Sequence, residues 1–241
     1  MRILIVNDDG VLAPGILHLA KWARKYGEVT VAAPKTEQSG KSHAIDFIEP
    51  FEVKRVDFFE DIEAYSVDST PADCTRFGIV GLGREYDLVL SGINYGVNMS
   101  GDIVYSGTVG AIFEAEHLGH RAIALSIAKG EPLPPHPVLD SLLEYVLNNR
   151  LFDYSMLYNV NIPTAPRGIK ITRQGSAYFK DEFYKLDGDM YMQRGYPIAE
   201  KDADNEIYDT VAFLHGYVSV TPMTIERTKV QAFEELKEIL R

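Results

Sequence analysis

The stretch Ile3-Leu4-Ile5-Val6-Asn7-Asp8-Asp9-Gly10 joins four consecutive apolar residues to two carboxylates and a glycine. So short an uninterrupted run, rich in β-branched residues, reads as a strand buried on both faces, the pattern of a parallel sheet. Pro14-Gly15 then begin a segment whose apolar residues Ile16, Leu19, Ala20, Ala23 and Tyr26 recur near the helical period. Gly27 stands where a helix C-cap is expected. Val29-Thr30-Val31-Ala32-Ala33 is the next strand, stopped by Pro34. Strand, helix and strand in this order form a βαβ unit, whose crossover is right-handed.

Outward from that unit the alternation continues. Lys35 to His43 is a polar loop, and 51–57 and 62–68 read as two strands of a hairpin. Pro71 starts a helix reaching about Leu82, with Ser69 or Thr70 placed to cap it. Asp87-Leu88-Val89-Leu90 is another buried strand, followed by a Gly/Asn-rich loop to Ser106. A helix from Thr108 to about Leu118, a strand at 122–126, a proline-rich connector over 131–137 and a helix at 138–148 complete this region. Beyond Asn159, segments 160–162, 169–171, 210–213 and 217–220 read as strands and 229–240 as a helix. The stretch 175–208 is aromatic, charged and punctuated by glycine, which marks an extension suited to self-association. The pattern predicts an α/β fold with a largely parallel sheet.

The chain has 241 residues, with 24 Lys+Arg against 35 Asp+Glu and a net charge of −11. That length suits one large domain, or one domain with an appendage. Cys74 is the single cysteine, so an intramolecular disulfide framework and a Cys-rich zinc site are excluded. The acidic balance argues against long nucleic acid as a partner, because that affinity comes from Lys and Arg neutralising phosphates. No run of 18 apolar residues occurs and the first residues lack a signal-peptide pattern, so no membrane association and a cytoplasmic location are expected.

In open α/β sheets, ligands sit beyond the carboxyl ends of the strands. Asp8 and Asp9 fall there, and Gly10 permits the turn that would bring them together. Two readings stand at this level. The carboxylates hold a hard divalent ion such as Mg²⁺ or Mn²⁺, or Asp-Asp-Gly is a turn that caps the next helix. Ser39 and Asn94 are neutral oxygen donors fit to complete such a site, and equally fit to be loop hydrogen-bonders, as is Asn98. Ser106-Gly107-Thr108 opens a helix with small residues, which suits a phosphate cradle and also an ordinary N-cap. No Walker A loop and no Gly-x-Gly-x-x-Gly after the first strand are present, which disfavours those nucleotide-binding schemes. Paired-histidine zinc spacing is absent too; of the histidines only His43 lies near a proposed site loop.

Two look-alikes fail on chemistry. A response-regulator receiver would need its acceptor aspartate where Gly92 stands, and a haloacid-dehalogenase phosphatase would need an aspartate at Gly10 or Val11. The loops together resemble the SurE family of stationary-phase survival proteins, which act as nucleotidases. The matching segments are Asn7-Asp-Asp-Gly10, Ala13-Pro-Gly15, Gln38-Ser-Gly40, Thr70-Pro-Ala-Asp-Cys74, Ser91-Gly-Ile-Asn94 with Gly96 and Asn98, Tyr105-Ser-Gly-Thr-Val-Gly110, Asn159-Val-Asn-Ile-Pro163 and Gly216-Tyr-Val-Ser-Val-Thr-Pro222. Ser69 departs from the family's usual glycine, Lys41-Ser-His43 from its usual loop, and Ala111-Ile-Phe-Glu114 from its Ala-Ala-Met-Glu.

The resemblance implies a Rossmann-like core over 1–165, with helices on both faces of a mostly parallel sheet. It also implies a C-terminal extension or hairpin subdomain over 166–241 that joins subunits into a homodimer or homotetramer. The implied activity is hydrolysis of nucleoside monophosphates with one divalent cation, Mg²⁺ or Mn²⁺, per subunit. The implied metal ligands are Asp8, Asp9, Ser39 and Asn94, with Asp8, Asp9, Asn98 and Ser106 as catalytic residues. Ser39, Gly40, Asn98, Ser106, Gly107 and Thr108 would bind the phosphate. The competing readings are a polyphosphate or general phosphatase, and a non-catalytic nucleotide- or metal-sensing module.

Overall fold

A computed structural model describes residues 1–57, 61–176, 179–198 and 204–240. The strands are β1 (Arg2–Val6), β2 (Glu28–Pro34), β3 (Val53–Arg55), β4 (Glu63–Val67), β5 (Leu88–Tyr95), β6 (Ala122–Ile127), β7 (Leu157–Ile162), β8 (Ile169–Ile171), β9 (Phe179–Lys185), β10 (Tyr191–Pro197) and β11 (Val218–Met223). The helices are α1 (Pro14–Ala23), α2 (Pro71–Arg76), α3 (Gly107–His117), α4 (His136–Asn148), α5 (Asp209–Leu214) and α6 (Val230–Ile239).

Nine strands form one sheet in the order β3-β4-β2-β1-β5-β6-β7-β11-β8, and β9 and β10 make a separate hairpin. Strands β4, β2, β1, β5, β6 and β7 run parallel. β3 pairs antiparallel with β4, and β11 antiparallel with β7. The alternation of β1 shows how both faces are covered. Ile3 and Ile5 pack with Ile16, Leu19 and Trp22 of α1 and Leu139 and Leu142 of α4. Leu4 and Val6 pack on the opposite face with Cys74 of α2 and Val109 and Ile112 of α3. Apolar burial on two faces explains why β1 is a continuous hydrophobic run. The expected α/β architecture, a mostly parallel sheet flanked by helices, is therefore present. Among the described residues, no helix is long and apolar enough to cross a membrane.

Several element readings need correction. Residues 210–213 are not a strand but lie within α5. The β-branched run Thr210-Val211 is overridden at both ends. Asp209, fully buried, accepts the Thr210 N–H at 2.8 Å and so satisfies a donor of the first turn. Gly216, at φ +82°, ends the helix, with Tyr217 N–H donating back to the Ala212 carbonyl at 2.9 Å. The stretch after Leu90 is not loop up to Ser106. β5 runs to Tyr95 past a register shift between Ser91 and Asn94, and Ser100–Tyr105 is a 3-10 turn. The helix expected to reach Leu82 ends as α2 at Arg76 and widens into a π turn over Phe77–Gly81. Thr70, rather than Ser69, is its N-cap, accepting from the Asp73 N–H. Within 175–208, β9 and β10 form the hairpin, while 177–178 and 199–203 lie outside the described residues.

Gly15 explains the first turn of α1. A Cβ there would stand 2.1 Å from the Ile93 carbonyl oxygen, a backbone atom of β5 that cannot move aside cheaply. The helix therefore sits directly on the strand that carries Asn94. Gly15→Ala is expected to destabilise the fold by about 1–3 kcal/mol, a fall of several degrees in Tm. An unchanged melting curve would show that α1 does not pack this closely.

Candidate active site

Strand order reverses at β1, whose neighbours β2 and β5 are reached by connections on opposite sides, which opens a crevice at the carboxyl edge. Asp8 and Asp9 leave β1 into this crevice. Asn7 shapes the turn: its Nδ2 donates to the Gly10 carbonyl at 2.9 Å and its Oδ1 accepts the Gly10 N–H at 3.2 Å. Gly10 itself has φ +103°, a conformation that a side chain would strain. Asp8 is only 5% exposed, and its Oδ1 accepts the Thr108 hydroxyl at 2.5 Å. Its main-chain carbonyl accepts the Gln38 N–H at 2.7 Å, which ties down the loop carrying Ser39. Asp9 is half-buried and its Oδ2 accepts the Tyr95 N–H at 3.4 Å.

A cavity of about 710 Å³ is lined by Asp8, Asp9, Ser39, Gly40, Asn94, Asn98 and Ser106 among others. Ser39 donates its hydroxyl hydrogen to Glu37 at 2.6 Å, so its oxygen keeps its lone pairs for a ligand. The Asn94 Nδ2 donates to the Gly96 carbonyl at 2.7 Å, so its Oδ1 is the end left for a ligand. Ser106 caps α3 by accepting the Val109 N–H at 3.1 Å. Gly107 and Thr108 stand behind Asp8 and not in the cavity wall. The Thr108 hydroxyl is fully buried on Asp8, and a Cβ at Gly107 would lie 2.9 Å from the Asp8 Cβ.

Asn98 is held on every side. Its N–H donates to the Asn161 Oδ1 at 2.8 Å, and its carbonyl accepts the Asn161 Nδ2 at 2.9 Å and the Asn159 Nδ2 at 2.7 Å. Its own Nδ2 donates to the Ser126 hydroxyl at 2.9 Å. Asn159 and Asn161 alternate on one face of β7, and both are fully buried. Two polar residues at i and i+2 in a buried strand are a legible signal, because buried amides need partners.

His43 is not a member of the cavity wall. Its Nε2 lies 2.7 Å from Glu114, which also takes Arg76 at 2.6 Å, so this histidine braces the loop against α3. Burial works against ionisation of Glu114, yet the hydrogen bonds from His43 and Arg76 outweigh it and hold the carboxyl below its ordinary pKa. Asp73 is likewise structural, accepting from the hydroxyls of Ser69 and Thr70 and from the Asp46 N–H. Cavity residues that the sequence pattern did not reveal are Glu37, Asp102, Lys129, Asp181 and Gln193. The last two come from the β9–β10 hairpin, whose position over the crevice has no local signature.

Burial pushes the Asp8 carboxyl up to about 6, opposed by the Thr108 hydroxyl and reinforced by the charge of Asp9. Asp9 is raised as well, first by burial and then by Glu37, against the Tyr95 N–H. The protein thus places two adjacent carboxylates in a cleft where, among the described residues, neither forms an ion pair, although Lys129 lines the same cavity. Among the described residues, no three His, Cys, Asp or Glu side chains could hold an ion by themselves. The donor set is two carboxylates, a hydroxyl and a carboxamide, all oxygen, which fits a hard divalent cation and not zinc or copper.

Comparison with known proteins agrees with this geometry. Residues 3–181 match the family described as survival protein SurE. The 5′-nucleotidase SurE of Thermosipho africanus is 39% identical, over 99% of this chain and 97% of that protein. That of Legionella pneumophila is 37% identical, over 100% and 97%. The crystal structure of the SurE protein from Aquifex aeolicus superposes with a TM-score of 0.82 at 34% identity, covering 100% of both chains. With its site at the switch point of the sheet and its match to these relatives along the whole length, the chain belongs to the SurE family.

Proposed function

We propose that this protein is a divalent-metal-dependent phosphomonoesterase that hydrolyses nucleoside monophosphates to nucleoside and phosphate. One observation carries the reading: a carboxylate pair with no ion-pair partner among the described residues and the N-cap of a helix line one cavity, so a cation site adjoins an anion site. The names of the relatives, 5′-nucleotidase SurE, point to the same chemistry. Asp8, Asp9, Ser39 and Asn94 would hold one Mg²⁺ or Mn²⁺ per subunit, and the ion would polarise the phosphoryl oxygens and help position water.

The chain's own residues do the rest. Thr108 fixes the rotamer of Asp8 from behind, and Gly107 allows α3 to come close enough for that contact. The positive end of the α3 dipole would favour a phosphate bound beside its N-cap Ser106, with Gly40 in the same cavity. Asn98 has one Nδ2 hydrogen on Ser126 and a second left for a phosphate oxygen. Its clamped main chain means that this donor is positioned before substrate arrives, which is how fixed dipoles stabilise developing charge.

The same proposal includes a homodimer or homotetramer. α6 exposes Val230, Phe233 and Leu236 along one side, and the hairpin exposes Phe183, Met190 and Tyr191. Apolar surface of this extent calls for a cover.

Chelation is expected to abolish phosphate release from a nucleoside monophosphate, and Mg²⁺ or Mn²⁺ to restore it. Asp8→Asn and Asp9→Asn should each lower kcat/KM at least about a hundredfold. Nucleotide binding without turnover at saturating metal would instead identify a sensing module, and faster hydrolysis of polyphosphate than of nucleotides would identify a general phosphatase. Gly107→Ala tests the positioning of Asp8 separately. The added methyl must displace Asp8 or α3 by a few tenths of an ångström or more, and kcat should fall by about 10–100-fold while the protein stays folded.

A further inference from the structure

Among the described residues lining the acidic cavity, one side chain is basic. Asp8, Asp9, Glu37, Asp102 and Asp181 line it, and against them stands Lys129. A phosphomonoester is itself anionic at neutral pH, so each of these carboxylates repels it. A divalent cation at Asp8 and Asp9 offsets that pair and leaves the other carboxylates to be overcome.

The fold brings Lys129 to the right edge of the sheet. Ser126 and Ile127, at the end of β6, pair with Asn94 and Tyr95 of β5. The Tyr95 N–H is the donor to Asp9, and the Ser126 hydroxyl accepts from the Asn98 Nδ2. The chain then turns back, with the Glu131 N–H donating to the Ala128 carbonyl at 3.2 Å and Gly130 at φ +87°. Lys129 stands in that turn, two residues beyond the partner of Tyr95, and its side chain lines the cavity together with Asn94 and Asn98.

Its ammonium is uncommitted. Lys129 is exposed, and among the described residues it makes no hydrogen bond and no ion pair. A lysine whose task was to neutralise this wall would pair with one of its carboxylates, as Lys35 pairs with Asp68 at 2.8 Å. Three free donors on a flexible stem suit an anion that comes and goes. A lysine is also a point charge without the two-pronged fork of a guanidinium, so it reads the charge of a phosphoryl group and not the group esterified to it.

We propose that Lys129 is a substrate-binding residue whose ammonium pairs with the phosphoryl oxygens of the ester and with the phosphate released. The proposal rests on the phosphomonoesterase reading above and adds a residue to it. The phosphoryl group is anionic in substrate, transition state and product alike, so Lys129 acts on KM and on product affinity more than on kcat.

The test compares Mg²⁺-loaded wild type, Lys129→Gln and Lys129→Arg on adenosine 5′-monophosphate and p-nitrophenyl phosphate, with inorganic phosphate as a competitive inhibitor. Lys129→Gln should raise both KM values and the inhibition constant of phosphate by the same factor, about tenfold, while kcat holds within about twofold. The wild-type KM should climb more steeply with added salt than that of Lys129→Gln. Lys129→Arg should recover most of the loss. Mn²⁺ binding without substrate, read by calorimetry, should be no weaker in Lys129→Gln than in the wild type. Unchanged KM and inhibition constants in Lys129→Gln would overturn the proposal. So would a rise confined to the nucleotide, which would put Lys129 on the leaving group, or a loss of Mn²⁺ binding, which would put it in the ion site. Each of these leaves the phosphomonoesterase reading standing. A wild type that releases phosphate from neither ester would overturn both.

Discussion

Burying two consecutive carboxylates at the end of a strand is the constraint around which this molecule is organised. Ionised carboxylates in a cleft are costly unless something neutralises or hydrogen-bonds them. Here the described residues supply hydrogen bonds and no ion pair to either carboxylate. Thr108 serves Asp8 and the Tyr95 N–H serves Asp9, yet both groups remain raised. A divalent cation would reverse that penalty, so the strain in the isolated pair and the proposed affinity for metal are one property. The neighbouring packing follows from the same need. α3 must come within contact of Asp8, which requires glycine at 107, and α1 must lie on β5, which requires glycine at 15.

A second layer of buried polar groups holds the loops that complete the site. Glu114, 2% exposed, joins His43 of the Ser39 loop to Arg76 of α2. Asn161 grips the main chain of Asn98 at both its N–H and its carbonyl. Asp209 accepts from the Ser100 and Gly175 N–H groups, joining the 3-10 turn below Ser106 to the root of the hairpin. Each of these polar groups has its partners, and satisfied networks of this kind favour one loop geometry over its competitors.

Much of this was legible in the sequence, for identifiable reasons. β1 reads correctly because a strand covered on both faces must be apolar throughout, and Asp8-Asp9-Gly10 marks its functional end. α1, α3 and α4 carry their own punctuation, as does the cap at Thr70. The misread segment 210–213 shows the limit: β-branched propensity there loses to a buried aspartate and a glycine stop, and the aspartate's partners lie far away in sequence. The continuation of β5 through Ser91-Gly92 was hidden because pairing with β6 resumes past an irregularity, with glycine and asparagine inside the strand. The bracing role of His43 is not legible locally, because its partner Glu114 comes from another element. Asp181 and Gln193 reach the cavity only through the placement of a hairpin, which tertiary packing sets and local sequence does not.

The ion site can be measured apart from turnover. Titration calorimetry of Mn²⁺ into the chelator-treated 241-residue chain, in parallel with Asp8→Asn, reads the carboxylate pair itself. One ion bound per wild-type chain and none by the variant is the expected result. Equal binding by both proteins would contradict the assignment of Asp8 and Asp9 as the cation's ligands.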